Sequence, residues 1–288
     1  MPFNSVAQVA DAVEQGRSHI QHFLRTSLNG GFGVATTFGD ASVGVGLPVY
    51  NPYLGPALEA TQLIGSRNNS IYVGPGISTE RYLLSVSLTQ AGSTGFFPAI
   101  YFLDYLLFYS YVDLDNTDEQ IFTNTVGLPR YTNGEGVRMA LVMQTPGTGT
   151  GTNATINYTN SDGVAKTVSA GVQSSGAIGV NAAANNATAT TIGPFMPLAN
   201  GDKGVQSVQS LQLSTSMGGG FAVLLLAKPL FTLASNELQS TVEKNFLREQ
   251  AALPRIYDGA FLNYMFNLSA NTSNLVPVIG QAQFIWTE

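Results

Sequence analysis

Charged side chains are scarce in this chain, and that scarcity limits what its surface can be. Of 288 residues, 12 are Lys or Arg and 18 are Asp or Glu, so 10% are charged, whereas 44% are hydrophobic. A typical soluble domain carries about 25% charged residues, which would be roughly 70 in a chain of this length. Because scattered charges keep free-standing proteins apart, we expect copies of the chain, or partners, to cover much of this surface.

The composition also excludes several classes of function. The formal net charge of −6 and the pI near 4.9 argue against a nucleic-acid-binding protein, which needs a basic surface. The absence of cysteine excludes disulfides, thiolate metal ligands and a cysteine nucleophile. The apolar stretches 100–112 and 221–226 are shorter than the ~20 residues that span a bilayer. Asp11 and Glu14 stand where a secretory signal would be apolar. We therefore expect synthesis in a cytoplasm, with neither a membrane nor direct nucleic-acid contact.

Patterns of β-strands dominate after residue 70. The stretch 98–112 is an apolar run rich in Tyr and Phe, as expected for a buried central strand, and 137–143 places its apolar residues on one face. Further strands are predicted at 71–73, 82–89, 261–269 and 281–286. Glycine turns predict two hairpins, one across 160–163 and one across the glycines at 218–220. The predicted fold class is mainly β, with a β-sandwich or jelly-roll-like body.

Two helices are predicted outside the strands. Ser5 and Gln8 match a capping box, and the apolar residues that follow at helical spacing predict an amphipathic helix over 5–27. Ser235 is a suitable N-cap for one further helix near 236–252, where Leu238, Val242 and Phe246 recur at four-residue spacing.

Composition shifts divide the chain. Residues 1–56 are predicted to be an N-terminal helix followed by an extended arm, because 29–56 is rich in Gly and Pro. Residues 57–288 form the predicted β-rich body, with a possible sandwich-like inserted module at about 130–215. We expect the helix to dock on its own sheet or to reach a neighbour, and deletion of 1–56 to leave a folded body that no longer binds its partners.

A search for catalytic or metal-binding chemistry finds no site. His19 and His22 fall at i, i+3 on the predicted helix, without an adjacent acidic partner that would make a metal site. The acidic stretch 113–119 offers oxygen ligands in an alternating pattern, but Asp118 and Asn124 stand where a calcium loop needs glycine and glutamate. The aromatic residues at 96–111 suit core packing better than sugar stacking. We assign no catalytic, cofactor-binding or metal-binding residue.

Four stretches in a fixed order carry a family resemblance: LPRYTNGEGV at 128–137, INYTNSDG at 156–163, GPFMPL at 193–198 and GDKGVQSVQS at 201–210. In this order they resemble structural proteins of tailed-bacteriophage virions, of the auxiliary or minor capsid (decoration or cement) type. The resemblance covers roughly 100–230 and implies a virion component with no catalytic residues.

The resemblance and the sparse charge together predict a role in assembly. We expect a capsid decoration protein on the virion surface that bridges capsomers, built as a homotrimer and partnered by itself and by the major capsid protein. The alternatives are a tail, neck or baseplate subunit, a surface adhesin that binds host glycan through tyrosines, a glycan depolymerase, and the major capsid protein itself.

Overall fold

The computed structural model describes residues 3, 5–28, 38–41, 45–47, 52–77, 79–91, 97–145, 147–149, 151–172, 182–183, 193–249, 252–267 and 276–288. The helices are α1 (Val6–Glu14) and α2 (Phe246–Glu249). The strands are β1 (Ser18–Leu28), β2 (Phe38–Asp40), β3 (Val45–Leu47), β4 (Ala60–Gln62), β5 (Arg81–Gln90), β6 (Ala99–Asp113), β7 (Gln120–Ile121), β8 (Arg138–Thr145), β9 (Thr152–Asn160), β10 (Ala165–Val172), β11 (Ala182–Ala183), β12 (Val205–Leu213), β13 (Phe221–Leu233), β14 (Thr241–Asn245), β15 (Arg255–Ile256), β16 (Phe261–Asn267) and β17 (Val276–Trp286).

These strands form three antiparallel sheets, which confirms the predicted mainly β class. A six-stranded sheet has the order β14-β5-β17-β1-β3, with β15 also paired to β5. A seven-stranded sheet has the order β13-β8-β11-β2-β16-β6-β4. A four-stranded sheet, here called the module sheet, has the order β10-β9-β12-β7.

The seven-stranded sheet closes on itself. Besides its neighbour β8, β13 also pairs with β6. The pairings therefore run β6-β13-β8-β11-β2-β16 and return to β6, with β4 attached outside this circuit. The two-residue strand β11 is the shortest member of the circuit.

The central strand β6 confirms the prediction made from the apolar run at 98–112. Its residues are almost all buried, and it pairs with β13 along nearly its whole length. The alternating residues of β8 also behave as predicted, because Met139, Leu141 and Met143 all enter the main core. That core is shared by the three sheets.

Aromatic side chains pack the six-stranded sheet against the seven-stranded sheet. Phe23 on β1 meets Phe102 of β6 and Tyr264 of β16 at ring-centroid distances of 6.2 and 6.0 Å. Gly280 on β17 lies directly opposite Phe23. A Cβ at Gly280 would overlap the Phe23 ring, so only glycine lets this ring lie flat against the neighbouring strand.

One of the two predicted hairpins is confirmed and the other is wrong. The strands β9 and β10 pair in register around Gly163, whose φ is +75°. The strands β12 and β13 do not pair with each other, since β12 lies in the module sheet and β13 in the seven-stranded sheet. The glycines at 218–220 take positive φ to carry the chain from one sheet to another.

The helix predicted over 5–27 is wrong in its second half. The Ser5 hydroxyl accepts from the backbone N–H of Gln8 at 3.3 Å, so the predicted cap is present. The helix ends at Glu14, and Gly16 takes a φ of +70° before the chain enters β1. Pairing of β1 with both β17 and β3 satisfies its backbone on two sides, which overrides local helical spacing.

The further helix near 236–252 is present only as the four residues of α2. Residues 241–245 instead form β14, an edge strand on β5. Their composition, with Thr241 and Val242 at the start, suits a strand better than a helix.

Of the arm predicted at 29–56, the described parts lie within the sheets. β2 belongs to the seven-stranded sheet and β3 to the six-stranded sheet, while residues 29–37, 42–44 and 48–51 lie outside the described residues. Deletion of 1–56 would therefore remove strands from two sheets. A much shorter deletion is the better test of the N-terminal helix. The boundaries of the module at 130–215 stay a prediction.

Candidate interaction surfaces

A buried ion pair holds the segment after β7 against the centre of β6. The side chains of Asp104 and Arg130 are 1% and 4% exposed. The guanidinium of Arg130 donates to both carboxylate oxygens, from Nη2 at 2.7 Å and from Nε at 2.9 Å, and to the carbonyls of Leu63 and Tyr105. Burial raises the pKa of Asp104, and the Arg130 charge opposes that rise. The pair therefore holds three segments of chain together.

A second buried polar cluster joins the six- and seven-stranded sheets. The Arg25 guanidinium on β1 donates through Nε to the carbonyl of Ala41 at 2.8 Å. Asp40 on β2 accepts from the hydroxyls of Tyr53 and Tyr105. Burial lowers the pKa of Arg25, and nearby groups, Asp40 among them, oppose that shift. Because these charged side chains are buried, even fewer charged residues remain on the protein surface.

The outer side of the six-stranded sheet carries three rows of directly paired residues. The rows are Leu24, Ile279, Thr89, Thr241; then His22, Gln281, Ser87, Glu243; then Ile20, Gln283, Ser85, Asn245. The side chains on the opposite side of the same strands, such as Phe23, Val278 and Ala282, are buried. We call the three rows the open face. Glu243 is its one formal charge, and Ile20 and Ile279 are 49% and 52% exposed.

The helix α1 covers the end of this sheet next to the open face. Val9 packs with Tyr82 of β5 and Ile285 of β17, and Phe3 meets the Tyr82 ring edge-on at 5.6 Å. The chain then enters β1 at Ser18, opposite Ile285, so the helix crosses the strands from β5 to β1. The prediction that the helix docks on its own sheet is confirmed.

One flank of α1 is apolar and exposed. Val6, Ala10 and Val13 recur at i, i+4 and i+7, which places them on one side of a helix. All three are exposed, Val6 by 66% and Val13 by 40%. We call these residues the helix stripe. It lies about a quarter turn around the helix from the buried Val9 and Ala12, whereas Asp11 and Glu14 lie on the side opposite them.

The module sheet presents a second wide surface of mostly neutral side chains, bordered by Glu119 and Lys166. One row across it is Thr167, Asn157, Ser210 and Ile121. The Thr167 hydroxyl donates to Oδ1 of Asn157 at 2.6 Å, and Nδ2 of Asn157 donates to Oγ of Ser210 at 2.9 Å. We call this row, with its flanking residues Thr155, Ser169 and Gln212, the module face.

A shallow depression of about 440 Å³ lies on the module face, lined by Asn157, Tyr158, Ala165, Lys166, Thr167 and Gln209. The hydroxyl and side-chain amide groups that line it already bond within the protein, and Lys166 adds a charge beside them. Besides its two partners above, Asn157 donates to Glu119 at 3.1 Å, and Gln209 donates to Ser207 at 2.9 Å. The module face is therefore better described as a flat, hydrogen-bonded surface than as a binding pocket for a small ligand.

The two histidines do not form a pair. Both lie on β1 instead of a helix, at positions three apart, so their side chains point to opposite sides of the sheet. The His19 ring stacks on Phe284 at 6.4 Å, and burial lowers its pKa. His22 lies on the open face.

The acidic stretch 113–119 forms turns tied to neighbouring strands. Oδ1 of Asp113 accepts from the N–H of Asp115 at 2.9 Å, and the Asp115 carboxylate accepts from the hydroxyl of Ser216. Glu119 accepts from Ser210 at 2.5 Å. Within the described ranges, no group of three or more His, Asp or Glu is placed to hold a metal ion.

Most aromatic residues of β6 are buried, as the core interpretation predicts. Tyr101 is partly buried, and Tyr111 is half exposed, with a φ of +58° at a bulge in the pairing with β13. Its ring meets the exposed ring of Phe221 edge-on at 6.0 Å.

Comparisons with known proteins do not identify a family for this chain. No protein-family model matches the chain, and no curated protein matches it. A structure of T=1 particles derived from infectious bursal virus is 12% identical with a TM-score of 0.19, and the match covers 93% of this chain and 77% of the other. The VP2 subviral particle of infectious bursal disease virus is 10% identical with a TM-score of 0.19, covering 94% and 80%. Likeness at this level establishes neither a shared fold nor a function.

Sequence reasoning missed both faces. Each is assembled from strands far apart in the chain, so no local motif marks it. The alternation of Ile20, His22 and Leu24 with buried residues of β1 carried a signal, but the same residues also fit a helix. In the part of the chain that the structure describes, no helix is long and apolar enough to cross a membrane.

Proposed function

We propose that the chain is a virion structural protein, most simply a capsid decoration or cement protein that binds the outer shell and bridges capsomers. The observation that carries this proposal is the pair of wide sheet faces, which carry few charges: Glu243 lies in the open face, and Glu119 and Lys166 border the module face. Burying an ion costs several kcal/mol unless it is well paired, whereas hydroxyls and amides can exchange bonds with water for bonds with protein. Neutral faces of this size suit lasting contact with other proteins.

The proposed partners are further copies of the chain, as a homotrimer at local threefold positions, and the major capsid protein. A protein that binds only the assembled shell stabilises it by about 2.7 kcal/mol per site at a hundredfold excess over Kd. The proposal places the protein on the capsid surface of a bacteriophage, with no enzymatic activity, cofactor, membrane or direct nucleic-acid contact.

The position of the chain in the particle tests this proposal. An averaged electron cryomicroscopy map of the virion should show its density over the junctions between capsomers. Density confined to the tail, neck or baseplate would support that alternative instead. Absence of the chain from purified virions would contradict both the capsid and the tail location.

A charge placed in the module face tests which surface meets the shell. Thr167→Lys should lower occupancy on isolated shells at least tenfold, because the ammonium group would lose its water in the contact. Leu238→Lys is the matched control, since Leu238 is exposed and belongs to neither face. Equal occupancy for both variants would contradict the module face as the contact.

One observation favours a second candidate function, a host-glycan-binding adhesin. The exposed pair Tyr111 and Phe221 offers aromatic rings, one of them with a hydroxyl, at the protein surface. A glycan array with the wild type and Tyr111→Ala would test this function. Glycan binding by the wild type that Tyr111→Ala loses would support an adhesin. No glycan binding by the wild type would contradict it.

A further inference from the structure

We infer that β10, at one edge of the module sheet, pairs with β10 of a second copy of this chain around a two-fold axis. The four strands of each copy then join into one continuous antiparallel sheet that spans both copies. The inference goes beyond the proposed function because it concerns the free protein as well as the virion.

The outer edge of β10 carries backbone groups without a partner. Within the described chain, β10 pairs only with β9, and at their hairpin the N–H of Asn160 donates to the carbonyl of Val164 at 3.0 Å. Because the bonding direction alternates along a strand, the even-numbered residues of β10 face β9. The N–H and C=O groups of the odd-numbered residues therefore point outward, at Ala165, Thr167, Ser169 and Gly171. Among the described residues, none bonds to these outward backbone groups.

The edge of β10 is longer and less protected than the other edges that the structure describes. Proteins protect free edges with bulges, prolines, charged side chains or very short strands. β10 has eight residues in unbroken register with β9, no proline, and Lys166 as its one charge. The edge strand β14 has five residues and carries Glu243 and Lys244, while the edges β3 and β7 have three and two residues. The strand that matches β10 best in length is therefore β10 of another copy.

One register uses the outward groups of both copies most fully. Antiparallel pairing of a strand with itself must place outward residues opposite outward residues, and the paired length is greatest when Val168 lies opposite Val168. Ala165 then lies opposite Gly171, and Thr167 lies opposite Ser169, each pair occurring twice across the axis. Two bonds in each of these pairs give about eight backbone hydrogen bonds. The two-fold axis is the commonest symmetry of protein dimers.

The side chains of β10 favour the same register. Val168 packs against the main core but is only partly buried in the single chain. In the pair, the two valines lie side by side in a non-hydrogen-bonded position, with Cα atoms ~4.5 Å apart, so each covers the exposed part of the other. Lys166 lies opposite Ala170. The two lysines are then roughly 14 Å apart, beyond the ~10 Å Debye length at 0.1 M salt, so their repulsion is weak.

A disulfide at the two-fold axis tests the pairing in the full-length chain, which has no cysteine of its own. Val168→Cys places two thiols opposite each other at a Cα separation that a disulfide can bridge. Under mild oxidation, we expect most of this variant to run as a covalent dimer in non-reducing electrophoresis. Val164→Cys is the matched control, because Val164 is 49% exposed at the end of the same strand. The register keeps its two copies roughly 27 Å apart, so it should give less than a tenth as much dimer.

Proline at the edge provides a second measurement that needs no oxidation. Because the N–H of Ser169 points away from β9, Ser169→Pro removes an outward donor without removing a bond inside the module sheet. This variant should weaken self-association at least tenfold in sedimentation. Ser169→Ala keeps the N–H and should leave self-association unchanged.

Three results would overturn the inference. They are a Val168→Cys dimer no more abundant than the Val164→Cys dimer, self-association that Ser169→Pro leaves unchanged, and a wild-type chain that stays monomeric at high concentration. The disulfide test does not depend on the folding of the proline variant. None of these results bears on where the chain lies in a virion, so failure here leaves the proposed function to its own test.

Discussion

At the scale of single residues, Asp104 interrupts an apolar strand for a physical reason. Its carboxylate accepts from Arg130 and also from the backbone N–H of Phe261 at 3.0 Å. One side chain thereby connects β6, the start of β16 and the segment around residue 130. A leucine at this position would pack as well but would leave those donors without a partner.

Loss of the Arg130 charge should therefore destabilise the protein strongly. Arg130→Met leaves the Asp104 carboxylate buried without its counter-charge, which typically costs about 3–5 kcal/mol. Unfolding in urea would measure this, with Arg248→Met on the exposed surface of α2 as the matched control. The double variant Asp104→Leu, Arg130→Met should recover part of the loss, because neither charge is then buried. A loss below ~1 kcal/mol in the single variant would contradict the assigned role.

The sequence allowed the strand around Asp104 to be predicted but not the partner of this residue. The apolar run at 98–112 favours a buried strand on its local pattern alone. The guanidinium that neutralises Asp104 lies 26 positions away along the chain, with no local pattern linking the two. The same holds for Arg25 and the segment of β2, which meet only after two sheets have formed.

At the scale of elements, Asp202 fastens the loop before β12 to β9. Its carboxylate accepts from the Tyr158 hydroxyl and, at 2.9 Å, from Nδ2 of Asn160. These bonds favour the ionised form and lower the pKa of Asp202. Burial raises the pKa of Tyr158 to about 12, so this hydroxyl stays a donor at neutral pH.

The contribution of Asp202 should disappear in acid. Because its pKa is lowered by folding, the stabilisation is complete above the ordinary Asp pKa near 3.9 and is lost as pH falls through the lower folded value. Asp202→Asn should thus lower the free energy of unfolding at pH 6 and make a smaller difference at pH 3. Urea titrations at both pH values measure it, with exposed Asp162→Asn as the control. An unchanged difference at pH 3 would contradict this account.

Elements with a local signal were predictable and those fixed by distant pairing were not. The hairpin of β9 and β10 could be predicted from its turn sequence alone, because Gly163 supplies the positive φ that the turn requires. By contrast, β1 and β14 were predicted as helix because their apolar residues also fit helical spacing. Their strand conformation is set by β17 and β5, which lie far away in the sequence.

At the scale of the whole molecule, the scarcity of charge predicts how association responds to salt. Contacts between surface charges are screened when the Debye length falls from ~10 Å at 0.1 M to ~3 Å at 1 M salt. Since the open face and the module face carry few charges, self-association and shell binding should change less than threefold between 0.1 and 1 M NaCl. Sedimentation of the protein, alone and with shells, measures both. A tenfold weakening would mean that charges drive the contacts.

Composition predicts the proposed role in assembly but not the surfaces that would serve it. Few charges indicated a covered exterior before any strand was placed. Which residues form that exterior depended on the order of strands in three sheets. The passage of the chain from β12 in one sheet to β13 in another could not be anticipated from the glycines between them.

The closed circuit of the seven-stranded sheet bears on resistance to mechanical force. An open sheet under tension peels from its first or last strand, one hydrogen bond at a time. A ring has no terminal strand, so rupture must begin inside it, and the two-residue strand β11 is its weakest link. Up to that load, stretching forces are distributed around the whole ring instead of falling on a single edge strand.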